Sequence, residues 1–572
     1  MSTLDWAVLF AALAFFVGYG LWRSRNERDL NDYILAGRRM KWPMVALSIM
    51  ATQASAITFL STPGQGYADG LRFVQFYFGL PLAMIVLCVT AIPIYHRLRV
   101  FTAYQYLEQR FDGKTRSLAA GIFLVQRGLS AGLTIYAPSL VLSVILGWDV
   151  RFTCALLGGL AVIYTATGGG KAVSYTQALQ FTIILGTMAI AGVVIFRLLP
   201  AGTTMGDVSL AAGVLGRLNA LELRFDPNDR YNLWSGLLGG LFLQLSYFGT
   251  DQSQVGRYLT GRSVAQSRFG LLVNGLLKVP MQLAILSLGV LVFVFYLFVV
   301  PPLFFNPAER ARAAQGPTAA AWNALEAEHG EAANARRKSL EALIAAGHAR
   351  DERAVEEARR SLEADQARIT GLRSDAAALI RQRDPKAPTN DTNYVFLSFV
   401  LAHLPVGLVG LVFAAIFAAS MNSSSAELNA LASTTVVDVV KRARPGMDAK
   451  HDLLVSRLVT LGWAAFAVGI AEYAARLGSL IEAVNILGSL FYGTILGIFL
   501  TAFYLKRVGG TAVFVGAIVA EAAVVLCFLF TKISFLWYNV IGCAAVIVVA
   551  LAIELVLRPR RPGRPDLADA PA

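Results

Sequence analysis

Long apolar segments separated by short polar loops make up most of this chain. A helix of about 18 or more apolar residues is long enough to cross the roughly 30 Å hydrocarbon core of a membrane. The pattern therefore predicts about thirteen membrane-spanning helices. Their expected ranges are 4–22, 42–66, 73–95, 117–143, 148–167, 173–197, 233–255, 269–300, 404–438, 453–475, 478–503, 511–531 and 535–557.

The amino-acid composition supports this prediction. Hydrophobic residues make up 56% of the chain, charged residues make up 15%, and the mean hydropathy is +0.57. Soluble proteins carry about 25% charged residues, so this chain lacks the polar side chains that would cover a water-exposed surface. A soluble enzyme, a secreted module and a disordered scaffold are therefore excluded.

The chain carries a net charge of +13, and its basic residues concentrate in alternate loops between the apolar segments. Such a distribution follows the positive-inside rule of membrane proteins and does not indicate nucleic-acid binding. We expect a multi-pass protein of the cell inner (plasma) membrane, in contact with the lipid bilayer, with its N-terminus outside and its C-terminus in the cytoplasm.

Residues 306–390 interrupt the apolar pattern with a segment rich in Ala, Glu and Arg. Val355, Leu362, Ile369 and Ala376 recur every seven residues, which is typical of a coiled coil. The segment is expected to form an antiparallel helical hairpin that turns near residues 347–348 and lies outside the membrane. Two interpretations stay open: a tolerated loop insertion, or an arm that docks a protein partner or a second copy of the chain.

Polar and small residues interrupt two of the apolar segments, at 50–70 and at 241–254. Interrupted helices at matching places in two halves of a membrane protein indicate a binding site at the membrane midplane of a transporter with inverted repeats. A third cluster, Asn422 to Ser425, lies inside another apolar segment. It is consistent either with interhelical hydrogen bonding or with oxygen ligation of a monovalent cation.

An ordered series of motifs resembles the sodium:solute symporter family, which contains sodium–sugar, sodium–proline, pantothenate and sialic-acid transporters. The matching segments cover nearly all of the chain except the 306–390 insert and the tail. They are DYILAGRRM, STPGQGY, IYAPSLVLS, TGGGKAVSYTQ, GRYLTGRS, LLK and FAASMNSSSAELNALAS.

The resemblance implies an all-α fold with a five-plus-five inverted-repeat core of LeuT type, one extra helix before the core and two after it. The expected parts are 1–40 (first helix and cytoplasmic loop), 41–200 (first repeat), 201–232 (extracytoplasmic loop), 233–505 (second repeat, interrupted by the 306–390 hairpin), 506–558 (two C-terminal helices) and 559–572 (disordered cytoplasmic tail).

The resemblance also implies a sodium site between the first and the eighth core helix. Its expected ligands are the carbonyls of Ala51, Ala54 and Ala419 and the side chains of Asn422 and Ser423. The family usually has a hydroxyl residue where this chain has Asn422, and an amide oxygen can replace it. Gln177 stands where the fifth core helix usually carries an aspartate that is thought to assist sodium release.

Carried over by motif, the substrate site of the family implies a set of polar and aromatic residues suited to a small polar solute. These residues are Gln53, Thr58, Gln75, Tyr77, Arg127, Gln244, Tyr247, Lys278 and Asn485.

Three of the polar residues in the apolar segments have alternative roles. Arg127 is expected either to bind a substrate carboxylate or to reach the cytoplasmic loop or pair with Asp251 or Glu482. Glu482 is expected either to pair with Arg127 or to face an external vestibule. Tyr492 is an external gate or a packing residue.

The function expected from these features is sodium-driven symport of a small polar organic solute by alternating access, with a weak preference for a carboxylate or an acidic sugar. The alternatives are a proton-coupled transporter of the same fold and a transporter-like sensor that signals through a partner. An enzyme is not expected, since no nucleophile–base pair, phosphate loop or metal cluster is present in the sequence. No cofactor is expected other than sodium as the coupling ion.

Overall fold

A computed structural model of the protein describes residues 1–24, 38–167, 170–444, 449–474 and 478–557, and within these residues every regular element is a helix. The first half contains α1 (Thr3–Ser24), α2 (Trp42–Gln53), α3 (Ala56–Asp69), α4 (Leu80–Val89), α5 (Ala91–Leu98), α6 (Ala103–Arg110), α7 (Gly113–Leu146), α8 (Val150–Thr167), α9 (Gly170–Arg197), α10 (Met205–Val214), α11 (Gly240–Gly249) and α12 (Gln252–Tyr258). The second half contains α13 (Val264–Phe298), α14 (Pro307–Ala313), α15 (Ala319–Ala349), α16 (Glu352–Arg383), α17 (Thr392–His403), α18 (Leu408–Thr434), α19 (Lys441–Ala443), α20 (Ala449–Ala474), α21 (Leu480–Tyr504), α22 (Gly510–Phe530) and α23 (Phe535–Leu557).

Nine helices of the described residues are long and apolar enough to cross a membrane, or ten if the bent pair α2 and α3 forms one span. Three further apolar helices, Thr3–Phe16, Val150–Leu160 and Met205–Val214, are shorter. The count of about thirteen spans stays a prediction, because some of the expected spans are short or broken into pieces.

Several of the sequence features lie outside the described residues. They include most of the DYILAGRRM motif, two glycines of TGGGKAVSYTQ and the basic tail 559–572.

The helical hairpin consists of α15 and α16, which run antiparallel and are joined at Arg350 in a left-handed conformation (φ 56°). Leu362, Ile369 and Ala376 of the seven-residue pattern are buried. Polar contacts between the two helices surround this apolar seam: Arg336 donates to Gln366 (2.7 Å) and Ser339 donates to Asp365 (2.7 Å). An apolar seam with polar flanks is what the seven-residue period favours.

The hairpin is attached to the rest of the chain at its base and at its tip. At the base, Nη2 of Arg373 donates to both carboxylate oxygens of Asp391 (2.9 Å to each), and Asp391 precedes α17. Midway, Arg336 donates to the carbonyl of Tyr296 in the last turn of α13 (2.6 Å). At the tip, His348 lies 2.8 Å from Asp207 of α10. These contacts fix the hairpin against its own chain at three separated points.

A buried histidine should make the hairpin sensitive to acid. His329 is 1% exposed, and its Nε2 has no hydrogen-bond partner. Burial, with the nearby guanidinium groups of Arg373 and Arg336, lowers the pKa of His329 to about 4. Above pH 6.5 the histidine is neutral in both the folded and the unfolded chain. As the pH falls from about 6.5 to about 4, the unfolded chain binds a proton that the folded hairpin does not, so stability is lost across this window.

We expect the hairpin to lose about 2 kcal/mol of stability between pH 7.5 and pH 5, and about 3 kcal/mol in total. The loss would be measured as amide-exchange protection of 319–383, corrected for the intrinsic pH dependence of exchange. His329→Gln removes the titrating group and should flatten this dependence. An equally steep dependence in that variant would assign the effect to other groups.

Candidate functional site

The first core helix is broken where the sequence predicted an interruption. Helix α2 ends at Gln53, α3 begins at Ala56, and the two axes differ by 62°. In the last turn of α2 the carbonyl of Met50 still accepts from the N–H of Ala54, whereas the carbonyls of Thr52 and Gln53 accept from side-chain hydroxyls, because the helix does not continue. Freed backbone groups at membrane depth persist only where they line a cavity or bind a ligand, so this break marks a candidate site.

The second break separates α11 from α12 at Thr250 and Asp251. The carboxylate of Asp251 caps α12 by accepting from the backbone N–H of Ser253 (2.9 Å). Two buried tyrosines satisfy the freed carbonyls: Tyr95 donates to Gly249 (2.8 Å) and Tyr104 donates to Thr250 (2.9 Å). The break is therefore held in place by specific hydrogen bonds.

The residues expected to bind sodium lie where α18 crosses the end of α2. Ser423 donates to the carbonyl of Thr52 (3.3 Å), which lies between Ala51 and Ala54 in sequence. Asn422 is 1% exposed, and neither its Oδ1 nor its Nδ2 has a hydrogen-bond partner. An unpartnered buried amide is costly, and a sodium ion held by Oδ1 would satisfy the acceptor.

Gln177 of α9 links the same two helices. Its Oε1 accepts from Ser48 (2.7 Å), and its Nε2 donates to the carbonyl of Asn422 (3.3 Å) and lies 3.5 Å from the hydroxyl of Thr52. The amide thus occupies the junction of α2, α9 and α18 with hydrogen bonds and without a charge.

Next to this junction lies a cavity of about 90 Å³ between the two helix breaks. Thr52 and Ser423 line it, so the candidate ion site and the cavity are adjacent. The predicted residues that line the cavity are Gln53, Thr58, Tyr77, Arg127, Gln244, Tyr247, Lys278, Asn485 and Tyr492.

Gln75 is the predicted substrate residue that the cavity lining does not include. It is fully buried in a 3-10 turn, where its Oε1 accepts from the backbone N–H of Glu222 (3.0 Å) and its Nε2 donates to the carbonyl of Tyr231 (3.0 Å). Both hydrogen bonds hold the loop that precedes α11. The side-chain amide of Gln75 therefore positions the backbone of this loop.

Arg127 of α7 is paired inside the protein. Its guanidinium contacts the carboxylate of Asp251 in an ion pair, donates to Glu427 of α18 (3.0 Å) and donates to the hydroxyl of Tyr492 (2.7 Å). Arg127 is 3% exposed, Asp251 1% and Glu427 7%. One guanidinium therefore faces two carboxylates, and Tyr492 also donates to Asp251 (3.0 Å).

Lys278 of α13 is a buried cation without an anionic partner. It is 2% exposed and makes no ion pair or hydrogen bond in the described part of the chain. Its ammonium lies 5.4 Å from the centre of the Tyr77 ring, which is a cation–π distance. An ionisable side chain buried in a membrane-spanning segment is a candidate functional residue.

Charged clusters lie beyond the cavity towards both ends of the helices. On the side of the hairpin, Glu482 at the start of α21 binds Arg230 (2.8 Å) and accepts from the hydroxyl of Tyr231 (2.8 Å). Towards the other end, Arg116 of α7 binds Asp438 (2.6 Å), which follows α18. Glu482 thus faces a vestibule on the hairpin side and does not pair with Arg127.

Replacing Glu482 by Gln should loosen the 219–232 loop with little effect on global stability. The side chain of Arg230 is 54% exposed, and an exposed pair contributes less than about 1 kcal/mol. We expect faster amide exchange in 219–232 and a thermal midpoint close to that of the unmodified protein. Glu472→Gln, which removes an exposed pair 4.0 Å from Arg151, is the matched control and should leave exchange in that loop unchanged.

Glu427 and Asp438 were not selected from the sequence, although both belong to the site or its surroundings. The signal was present, because each is a carboxylate inside or beside an apolar segment, and such residues are functional candidates by default.

A sequence model described as the sodium:solute symporter family matches residues 33–324 and 369–520. Relatives by sequence are the sodium/sialic acid symporter SiaT of Proteus mirabilis (23% identical, 98% of this chain and 96% of that protein), the sodium-dependent multivitamin transporter of Oryctolagus cuniculus (26%, 87% and 66%) and the sodium/iodide cotransporter of Homo sapiens (32%, 51% and 45%). The chain spans about half the length of the iodide cotransporter and about two thirds of the multivitamin transporter.

Among solved structures, a substrate-bound, outward-open Na⁺-coupled sialic acid symporter has the same fold, with a TM-score of 0.74, 21% sequence identity, and coverage of 97% of this chain and 98% of that chain. The all-helical inverted-repeat fold is thereby confirmed. The relatives are transporters and not enzymes, as the sequence predicted. The family model matches on both sides of the hairpin and omits 325–368. Because the match covers most of the chain, the protein belongs to the sodium:solute symporter family.

Proposed function

We propose that this protein couples the inward movement of sodium to the uptake of a small organic solute that carries a carboxylate. The observation that carries the sodium part is the buried amide of Asn422, which has no partner and lies beside the broken end of α2. Ala51, Ala54 and Ala419 would add carbonyl oxygens and Ser423 a hydroxyl oxygen. Carbonyl, amide and hydroxyl oxygens are suitable ligands for a hard cation.

The carboxylate part rests on Lys278. Arg127 forms an ion pair with Asp251 and also contacts Glu427, so its guanidinium has no free charge to offer a solute. The ammonium of Lys278 has no such partner and faces the same cavity. Gln53, Thr58, Gln244 and Asn485 would orient the polar part of the solute, and the rings of Tyr77 and Tyr247 would cover its apolar part.

Sodium would act first in this cycle. Binding at the junction of α2 and α18 would order the broken helix and the cavity wall that it shares with Thr52 and Ser423. The solute would then bind, and the charged clusters around Glu482 and Asp438 would open in alternation. A membrane potential contributes about 2.3 kcal/mol per charge for each 100 mV, enough for about fifty-fold accumulation with one sodium ion.

For the membrane topology, we propose an inner (plasma) membrane protein with the N-terminus and the hairpin outside and the C-terminus in the cytoplasm. The support is the positive-inside distribution of basic loops. For the hairpin we propose an accessory role, since its base, middle and tip contact its own chain. Self-association or partner binding through the hairpin would instead be seen as a change in oligomeric size when 319–383 is deleted.

The test is uptake into proteoliposomes that contain the purified full-length protein. Radiolabelled small carboxylates, sugars and amino acids would be offered with an inward gradient of sodium or of choline. Uptake of a carboxylate-bearing solute that requires sodium and survives a protonophore supports the proposal. Uptake that is equal in choline and collapses with the protonophore would replace it by proton coupling, and binding without any uptake would favour a sensor.

A further inference from the structure

The wall of the cavity carries Lys278 of α13, which has no anionic partner among the described residues, and Glu427 of α18, whose Oε2 has no hydrogen-bond donor. From this pair we infer that the solute is a zwitterion, with its carboxylate on the ammonium of Lys278 and a cationic amine on the carboxylate of Glu427. The inference deepens the proposed function, on which it rests, by naming the class of solute.

The surplus charge on Glu427 follows from the contacts around Arg127. Both carboxylate oxygens of Asp251 are in use: Oδ1 accepts from the backbone and the hydroxyl of Ser253 (2.9 and 2.7 Å), and Oδ2 contacts Arg127 and Tyr492. Asp251 alone therefore balances the single positive charge of the Arg127 guanidinium. Glu427 adds a second negative charge. Its Oε1 accepts from Arg127 (3.0 Å), and the hydroxyl of Thr134 lies beside the carboxylate without a well-formed hydrogen bond to Oε2.

The second oxygen of Glu427 indicates a ligand. Oε2 is buried without a hydrogen-bond partner, and the residue is 7% exposed and lines the cavity. A buried carboxylate oxygen without a donor is strongly unfavourable, so a donor is expected to arrive with the bound state. An ammonium group of the solute supplies both the missing donor and the missing positive charge.

Lys278 lacks a negatively charged partner. Among the described residues no ion pair joins it to Glu427. A simple monocarboxylate would neutralise Lys278 and leave Glu427 charged. A neutral sugar would neutralise neither group. A zwitterion supplies a partner for both groups at once, and both groups line the same cavity.

The test is ligand-induced thermal stabilisation of the purified full-length protein, measured in sodium and in choline. The probes are glycine, alanine, proline, β-alanine and 4-aminobutyrate, each compared with the acid of the same carbon skeleton without the amine. We expect one or more zwitterions to bind about 10–100-fold more tightly than the matched acid, the range of a hydrogen bond to a charged group.

Two variants locate the effect. Glu427→Gln should bring the affinity ratio of zwitterion to matched acid close to one, whereas Lys278→Met should weaken both ligands alike. A cooperative thermal unfolding transition in the absence of ligand shows that each variant is folded. If Glu427→Gln does not fold, Glu427→Asp keeps the charge on a shorter side chain and should move the preference to an amino acid with one more methylene.

Three results would overturn the inference: tighter binding of the acids than of the zwitterions, no stabilisation by any zwitterion, or an unchanged ratio in Glu427→Gln. A Glu427→Gln variant that loses sodium affinity with an unchanged ratio would assign Glu427 to a cation site instead. Failure of the proposed function has a different signature, because stabilisation would then be the same in sodium and in choline.

Discussion

Replacing Arg127 by glutamine is expected to lower the free energy of unfolding by about 3–5 kcal/mol, the cost of leaving one side of a buried ion pair without its partner. The change would leave Asp251 and Glu427, both buried, without a counter-charge. It would also remove a donor to the hydroxyl of Tyr492, on α21. Three helices, α12, α18 and α21, meet at this one side chain.

The measurement is the thermal unfolding midpoint of the detergent-purified protein, with expression level as a second readout. Arg368→Gln is the matched control, since Arg368 pairs with Glu328 on the exposed surface of the hairpin and should contribute less than about 1 kcal/mol. The double variant Arg127→Gln with Glu427→Gln should recover part of the loss. A wild-type midpoint for Arg127→Gln would contradict the structural role and return Arg127 to the list of carboxylate-binding residues.

Replacing Asn422 by alanine is expected to raise the half-saturating sodium concentration by about 10–100-fold. The amide oxygen is the one uncommitted side-chain acceptor that Asn422 offers at the end of α2, and a ligand to a charged group contributes about 1.5–3 kcal/mol. Sodium titration of the thermal midpoint measures the change directly and requires no knowledge of the solute.

Two neighbouring substitutions make this result specific. Asn422→Ser introduces the hydroxyl that the family usually has at this position and should retain most of the sodium affinity. Ser424→Ala changes a hydroxyl two residues further along α18 that lines a separate apolar cavity beside Pro138, and it should leave the sodium titration unchanged. An unaltered titration in Asn422→Ala would remove that amide from the ion site.

The breaks between α2 and α3 and between α11 and α12 could be predicted because polar residues in apolar segments are costly and therefore rare. Most of the predicted residues that line the cavity came instead from the resemblance to the family, carried over motif by motif. Of the two carboxylates offered by the sequence as partners of Arg127, Asp251, 124 positions away, forms the pair and Glu482 does not. The contacts of Arg127 with Glu427 and Tyr492, 300 and 365 positions away, were not predicted. Which of several carboxylates reaches a buried guanidinium is decided by how helices pack.

Gln75 shows the opposite error. An amide in a polar-poor region resembles a ligand-binding residue, but here its partners are the backbone of Glu222 and Tyr231. Backbone N–H and C=O groups occur at every position, so the pattern of residue types does not predict which side chains will hydrogen-bond to the backbone. For the same reason, the hydrogen bond from Arg336 to the carbonyl of Tyr296, which attaches the hairpin, could not be predicted. The buried apolar seam of the hairpin could be predicted from the seven-residue period.

The attached hairpin has a practical consequence for imaging. Transporters of this size offer few features outside the detergent micelle by which electron-microscope particle images can be aligned. Here two helices of 31 and 32 residues are anchored at three points and end in the exposed turn at Arg350. A short epitope inserted after Arg350, bound by an antibody fragment, would serve as a fiducial marker whose orientation reports that of the membrane helices.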